Sequence, residues 1–143
     1  MQIKEIMKPA YRVPYSMNIA GVAVTMTLNK THCVIVDHFD GSLGFVTEKD
    51  IIRDVVSRCR DAATVRAWEI MKQPLIAADA DIDIRDAIEI MRRQKVRSLV
   101  VTNGEQILGL VKRSTILNNI KFEEEEYWTA DKTTAVENGT IIH

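Results

Sequence analysis

The chain has 143 residues, of which 46% are hydrophobic and 27% charged, the composition of an ordinary soluble globular protein with length for one domain or two small halves. Of its 19 basic and 20 acidic residues, one lysine and six acids fall in residues 122–143, leaving a body with 18 basic and 14 acidic residues. A body this mildly positive suits small anions and argues against nucleic acid, whose binding normally requires a concentrated basic stripe.

The first half of the chain predicts a strand, a helix, two strands and a second helix. Apolar residues at positions 19, 22, 23 and 26 have the spacing of one helix face, and Ser16 is the expected N-cap before them. An Asp-Gly pair between the two later strands indicates a hairpin turn. The expected elements are strand 10–14, helix 17–29, strands 33–37 and 42–47, and helix 48–59.

The second half repeats this order. The segment Ile6-Met7-Lys8 returns 64 positions later, and the following features return after 65, including the N-cap, now Asp81, and an Asn-Gly turn. Residues 60–66 between the copies are predicted to be a polar linker. The expected elements are strand 75–78, helix 82–94, strands 98–102 and 106–111, and helix 113–121.

The repeat predicts the fold class. One unit alone buries too little apolar surface, so the two units are expected to pack as pseudo-twofold mates. The predicted class is α/β, more fully α+β, with two β-α-β-β-α repeats at residues 1–62 and 63–121. Residues 122–143 are an acidic, aromatic tail, which is expected either to dock on a surface or to be disordered. The glutamates at its start are expected either to extend the last helix or to be disordered as well.

The motif that carries most chemistry ends the third strand of the first repeat, where Gly44 is followed by Thr47 and Asp50. At a helix start, Thr-x-x-Asp is a variant of the capping box, in which each side chain accepts a hydrogen bond from the other residue's backbone N–H. The functional interpretation is that the fixed carboxylate accepts hydrogen bonds from a vicinal diol such as that of a ribose. The spacing alone leaves both interpretations open.

This ordered set of features resembles a tandem pair of cystathionine-β-synthase-type (CBS) domains, also called a Bateman module. The resemblance covers about residues 3–120 and rests on Ile-Met before each first strand, the helix stripe that ends in methionine, the second-strand pattern and the Gly44-x-x-Thr47-x-x-Asp50 motif. It implies a regulatory sensor that binds AMP, ADP, ATP or an S-adenosylmethionine-like ligand in a cleft between the repeats, with no required cofactor. By the same analogy the module is expected to form a homodimer.

The resemblance also implies roles for residues at matching positions. Thr47 and Asp50 would hold the ribose, and Gly44 would let base or sugar approach the backbone. Tyr11 would stack on the base or simply cover the sheet, and His32 would contact a phosphate or lie at the surface. The base-binding residues would be Ala10, Tyr11 and Arg12, and the phosphate-binding residues His32, Arg97, Lys112 and Arg113, the last two at a helix N-terminus.

The second repeat departs from the motif, since Lys112 and Thr115 stand where Thr and Asp are required. Thr115 offers a hydroxyl but no charge, and losing two charge-assisted hydrogen bonds should weaken a ribose site by roughly tenfold to a thousandfold. We therefore predict one competent nucleotide site, organised by Asp50. The second cleft is expected to be weak, empty or turned to phosphate through Lys112, Arg113 and Arg97.

Other chemistry has little support. The run Asp79-x-Asp81-x-Asp83 opens like an EF-hand loop, but Ile84 and Ile90 stand where glycine and glutamate are required, so no metal site is predicted. No nucleophile–base arrangement is recognisable, which predicts that the protein is not an enzyme. The main alternative is a structural or dimerisation module that has lost ligand binding and contacts an unknown regulated partner.

Cysteine usage and hydropathy predict the compartment. Cys33 and Cys59 form neither a CxxC motif nor a disulfide framework, which favours a reducing environment. The N-terminus lacks a signal-peptide pattern, and no apolar run approaches the ~20 residues of a membrane helix. A cytoplasmic protein without a membrane partner is expected.

Overall fold

The computed structural model describes residues 1–124. The chain forms two compact units, one made of Pro9–Ile76 and the other of Met1–Lys8 with the chain from Ala77 onward. The mixed α+β class with two repeated units is confirmed. Among the described residues, no helix is long and apolar enough to cross a membrane.

The unit Pro9–Ile76 contains one three-stranded sheet, in which the second strand is central. This strand pairs in parallel with the first strand and antiparallel with the third. Four consecutive residues of the central strand, from Cys33 to Val36, are fully buried because the strand is covered on both faces. The elements are β1 (Arg12–Pro14), α1 (Ile19–Asn29), β2 (Cys33–Asp37), β3 (Leu43–Thr47), α2 (Glu48–Ile51), which continues as a π-helical turn (Ile52–Val56), and α3 (Ala67–Ile70).

The other unit has the same topology, with its second strand central and fully buried from Leu99 to Val101. Its last strand has a register shift opposite Val101 and Thr102. The elements are a 3₁₀ turn (Ile3–Glu5), β4 (Ala77–Asp79), α4 (Ile84–Gln94), β5 (Ser98–Thr102), β6 (Ile107–Lys112) and α5, helical over residues 113–124. The glutamates at 123 and 124 thus extend the last helix, and the rest of the predicted tail lies outside the described residues.

The helix caps are equivalent in the two units but lie two residues after the predicted positions. Asn18 caps α1 by accepting a hydrogen bond from the Gly21 N–H at 2.8 Å, and Asp83 caps α4 through the Arg85 N–H at 2.9 Å. The prediction of Ser16 and Asp81 was wrong, because the backbone just before each helix forms a bridge with a remote segment. Asn18 pairs there with Arg66, as Asp83 does with Gln2.

The predicted hairpin turns are confirmed. Gly41 and Gly104 lie in the turns between the last two strands of each unit, with φ of 84° and 107°. This backbone region is sterically open to glycine and costly for most other residues.

The predicted linker is part of a packed segment. Val65 is buried in the core of its unit, and its carbonyl accepts a hydrogen bond from the Ile19 N–H at 2.9 Å. The short helix α3 and the 3₁₀ turn Ile3–Glu5 were both missed, because elements of three or four residues leave no periodic pattern. The repeat boundary at residues 62 and 63 stays a prediction.

Each of these leading segments pairs with the third strand of its unit. Lys72 exchanges two backbone hydrogen bonds with Phe45, at 2.8 and 2.9 Å, and Lys8 exchanges two with Leu110, both at 2.8 Å. The Ile-Met-Lys segment that opens the second repeat therefore packs with the strands of the first, and the segment that opens the chain packs with the strands of the second.

Candidate functional site

The start of α2 holds Thr47 and Asp50 in a capping box. Strand β3 ends at Thr47, whose backbone is extended. The Thr47 hydroxyl accepts a hydrogen bond from the Asp50 N–H at 3.2 Å. In return the Asp50 Oδ2 atom accepts from the Thr47 N–H at 2.9 Å. The capping interpretation of the motif is thus confirmed, and it uses one of the two carboxylate oxygens.

The second oxygen of Asp50 faces two cationic side chains. The Oδ1 atom accepts a hydrogen bond from Arg53 Nη2 at 2.8 Å and lies 3.3 Å from Lys72 Nζ. The Asp50 side chain is only 2% exposed, whereas those of Arg53 and Lys72 are 51% and 63% exposed. Among residues 1–124, Asp50 is the one charged residue that is buried.

The charges around Asp50 are mutually stabilising. Arg53 also donates to both carboxylate oxygens of Asp54, from Nε at 2.9 Å and from Nη2 at 2.8 Å. The hydrogen bond from Arg53 holds the pKa of Asp54 below its ordinary value, and the bonds to Asp54 and Asp50 raise the pKa of Arg53. Asp54 and Arg53 therefore stay ionised near neutral pH.

Gly44 is a point of close approach, but the neighbour is protein. A Cβ atom at Gly44 would lie 2.9 Å from the Met71 sulfur and 3.0 Å from the Lys72 carbonyl oxygen. The glycine thus lets the segment that carries Lys72 pair with β3, which brings the Lys72 ammonium to Asp50.

The predicted base-binding residues lie along β1 and the loop before it. The Tyr11 carbonyl accepts from the Ile35 N–H at 2.8 Å, and its ring packs on the core of the unit. Arg12 is exposed and forms a bidentate pair with Asp37, one bond being 3.1 Å long. Ala10 is half-buried in the loop.

His32 lies beside the capping box. Its carbonyl accepts a hydrogen bond from the Glu48 N–H at 3.0 Å, which ties the start of β2 to the start of α2. The structure therefore brings His32, Thr47 and Asp50 to one end of the β2–β3 hairpin, whereas Gly44 pairs with Val36 near the turn of the hairpin. Arg12 pairs instead at the other end of β2, through Asp37.

The remaining predicted residues belong to the other unit. The Arg113 N–H donates to the Arg97 carbonyl at 2.8 Å, and Lys112 precedes Arg113 at the end of β6. These three basic residues thus meet at the start of α5, where Thr115 takes the place that Asp50 has in the first repeat.

Sequence reasoning missed Arg53 and Lys72. The contact of Arg53 with Asp50 could have been predicted from the sequence, because residues three apart on a helix are neighbours and an Asp–Arg pair at that spacing is favourable. The contact of Lys72 with Asp50 could not have been predicted, because only the pairing of the Lys72 segment with β3 brings it to a residue 22 positions earlier.

No cluster of three or more metal-ligating side chains occurs within residues 1–124. The three aspartates of the EF-hand-like run have other partners. Asp79 accepts from the Asp81 N–H, Asp81 pairs with Lys4, and Asp83 caps α4.

Comparisons with known proteins agree with this architecture. A family model described as CBS domain matches residues 3–57 and again residues 67–121. The uncharacterized protein MK0525 of Methanopyrus kandleri is 33% identical over 85 residues, which are 59% of this chain and 43% of that protein. The uncharacterized protein MJ0450 of Methanocaldococcus jannaschii is 26% identical over 117 residues, 78% of this chain and 62% of that protein. The chain thus covers less than two-thirds of the length of these relatives.

Solved structures share the fold. The hexameric CBS-CP12 protein from bloom-forming cyanobacteria superposes with a TM-score of 0.76 at 24% identity, covering 98% of this chain and 88% of that chain. The CBS domain protein PAE2072 from Pyrobaculum aerophilum, complexed with AMP, has a TM-score of 0.68 at 24% identity, covering 80% of this chain and 89% of that chain. At such identities the likeness is one of fold.

Proposed function

The chain belongs to the CBS domain family, and from this premise we propose that it is a regulatory module that binds an adenosine-containing ligand beside Asp50 and has no catalysis of its own. The AMP complex of PAE2072, a CBS domain protein of the same fold, supports the choice of ligand class. The candidate ligands are AMP, ADP, ATP and S-adenosylmethionine-like molecules.

One observation carries this proposal, the buried carboxylate of Asp50. Burying a carboxylate costs free energy unless it is paired and hydrogen-bonded, and a helix N-cap does not require burial. Here the cap fixes one oxygen, and the other faces only long, exposed cationic side chains that can move away. A ribose diol that donates to this oxygen would replace them without disturbing the helix.

The other predicted residues take supporting roles in the proposal. His32 lies next to the capping box and is a candidate phosphate contact. Gly44 acts indirectly, by admitting the segment that carries Lys72. Arg12 and Tyr11 are weaker candidates for side-chain contacts with a base, because Asp37 and the core already engage them.

The variant Asp50→Asn tests the proposal, because the amide keeps an oxygen that can accept from the Thr47 N–H but loses the charge. Wild-type protein should melt several degrees higher with AMP at ~100 times its dissociation constant, which adds about 2.7 kcal/mol. We expect Asp50→Asn to weaken binding by roughly tenfold to a thousandfold while its circular dichroism spectrum is unchanged.

The matched control is Thr115→Ala at the equivalent position of the second repeat, which should leave AMP binding unchanged. Wild-type affinity in Asp50→Asn would show that Asp50 does not hold the ligand. Loss of binding in Thr115→Ala instead would move the site to the second repeat.

A second candidate function is that of an interaction module that assembles without ligand. It is favoured by four large aliphatic side chains in one unit that are exposed although apolar: Val24, Leu28, Ile52 and Val56. Leu28 is the most exposed of them at 77%, on a helix that is apolar on nearly every side.

This candidate predicts a homodimer whose formation depends on these exposed side chains. Leu28→Glu should shift the molar mass measured by light scattering from dimer to monomer, and the exposed Thr27→Glu is the control. A wild-type monomer at all accessible concentrations would contradict it. If no candidate ligand raises the melting temperature and the dimer depends on Leu28, the interaction module is favoured over the ligand-binding module.

A further inference from the structure

The two cations at Asp50 occupy the position that a ribose diol needs. Both lie at the single oxygen, Oδ1, that the capping box leaves available, and with them in place almost no surface of the carboxylate is exposed. Any diol that binds this oxygen must therefore compete with Arg53 and Lys72.

Arg53 and Lys72 are anchored differently. Arg53 stays in place without Asp50, because its guanidinium also donates to both oxygens of Asp54. Lys72 is fixed by its backbone hydrogen bonds to Phe45, and among the described residues its ammonium has one carboxylate partner within 4 Å, Asp50. Lys72 is thus the group that a ligand displaces most easily, and its flexible stem keeps the ammonium close to the site.

We propose that Arg53 and Lys72 select a phosphorylated adenosine ligand, with Lys72 exchanging its contact with Asp50 for a contact with the phosphate. This inference rests on the proposed function. When the diol takes the Oδ1 position, the Lys72 ammonium loses its carboxylate partner, and a phosphate on the same ligand restores one. A charge-assisted contact of this kind is stronger than a neutral hydrogen bond.

Charge balance favours a phosphorylated ligand over the competing ligand class. The two carboxylates and two cations of the cluster sum to zero before binding, and the nearby Arg58 acts on Asp54 as a further positive charge. A ligand whose group at the ribose 5′ carbon is a sulfonium cation, as in S-adenosylmethionine, places a positive charge nearest these cations, and its only carboxylate lies several bonds further from the ribose. Neutral adenosine has the diol but not the phosphate.

The second repeat lacks this arrangement. Thr115, Asn118 and Asn119 stand where Asp50, Arg53 and Asp54 stand in the first, while Lys8 pairs with β6 as Lys72 pairs with β3. Lys8 therefore provides a matched control, a lysine with the same backbone pairing in a repeat that has Thr115 in place of Asp50.

The test is calorimetric titration of the full chain with AMP, adenosine and S-adenosylmethionine. Wild-type protein should bind AMP about tenfold to a hundredfold more tightly than adenosine, and S-adenosylmethionine no more tightly than adenosine. In Lys72→Met the preference for AMP over adenosine should fall to within about threefold. The variant should bind AMP less tightly, and it should bind adenosine equally or more tightly because Lys72 no longer competes for Asp50. Arg53→Gln should reduce the preference in the same direction, and Lys8→Met should leave it unchanged.

Salt separates this effect from a structural one. Raising ionic strength should weaken AMP binding and leave adenosine binding unchanged or stronger, since salt screens the pair between Lys72 and Asp50 as well. Two results would overturn the selection by phosphate and leave the proposed function standing. The first is that wild-type protein binds AMP and adenosine equally tightly. The second is that Lys72→Met weakens the binding of both equally at an unchanged melting temperature. Binding of none of the three compounds, and of neither ADP nor ATP, would refute the proposed function itself.

Discussion

Gly44 and Gly109 occupy equivalent positions on the third strands of the two units, and each leaves space for a methionine–lysine segment that pairs with that strand. At Gly44 an added Cβ would meet the flexible Met71 sulfur at 2.9 Å and the Lys72 carbonyl at 3.0 Å. At Gly109 it would meet the Lys8 carbonyl oxygen at 2.5 Å. Both carbonyl oxygens belong to hydrogen-bonded backbone, but the approach is closer at Gly109, so the two glycines differ in their tolerance of substitution.

We therefore expect Gly109→Ala to destabilise the protein more than Gly44→Ala, which should cost about 1–3 kcal/mol as overpacking usually does. Urea unfolding of the two variants and wild type measures the difference, and each variant is the control for the other. A larger loss at Gly44 would mean that the Lys8 segment moves more freely than its hydrogen bonds indicate.

The Thr47–Asp50 pair shows why a short motif could not decide its own meaning. The spacing predicted the capping box, and both of its hydrogen bonds are present. The spacing could not predict the burial of Asp50 or the approach of Lys72, because both depend on a segment 22 residues away in sequence. Capping and ligand binding are compatible, since they use different oxygens of one carboxylate.

At the scale of the element, α1 and α4 are equivalent helices with different N-caps, neutral Asn18 and charged Asp83. Hydrogen bonding to the Arg85 N–H, with a contribution from the Met1 ammonium, lowers the pKa of Asp83 below its ordinary value of 3.8. A lowered pKa in the folded state means that this stabilisation is complete above the ordinary value and is lost as the pH falls through the folded-state value.

Asp83→Asn should therefore make the melting temperature less sensitive to acid, because asparagine keeps the cap and does not titrate. The measurement is thermal unfolding from neutral pH to below the ordinary aspartate value of 3.8. The reciprocal change Asn18→Asp in the other unit is the control and should add acid sensitivity. Parallel curves for Asp83→Asn and wild type would show that the charge of the cap contributes nothing.

Over the whole molecule, each compact unit does not correspond to one continuous repeat of the sequence, because the first eight residues belong to the unit that contains the second repeat. Ile3 is fully buried, and its N–H donates to the Ile82 carbonyl at 3.0 Å, so the beginning of the chain completes a unit whose sheet starts at Ala77. The unit Pro9–Ile76 is completed in the same way by the segment around Lys72.

Ile3→Ala should cost about 2–5 kcal/mol, as removal of a buried isoleucine side chain usually does. Hydrogen exchange should show the first loss of protection in residues 77–112 and not in the neighbouring residues 9–14. Lys4→Ala, which removes an exposed ion pair with Asp81, is the control and should change little. Loss of protection confined to residues 9–76 would contradict the membership of Ile3 in the other unit.

The sequence by itself determined the repeat, the order of strands and helices, the hairpin turns and the Thr47–Asp50 cap, because these depend on local periodicity and on backbone preferences of residues close in the chain. Only the tertiary structure decided the cap positions at Asn18 and Asp83, the packing of the supposed linker, and the meeting of Asp50 with Lys72. Each of these results from pairing between distant segments, which burial of apolar surface and backbone hydrogen bonding select together and which no short stretch of sequence encodes.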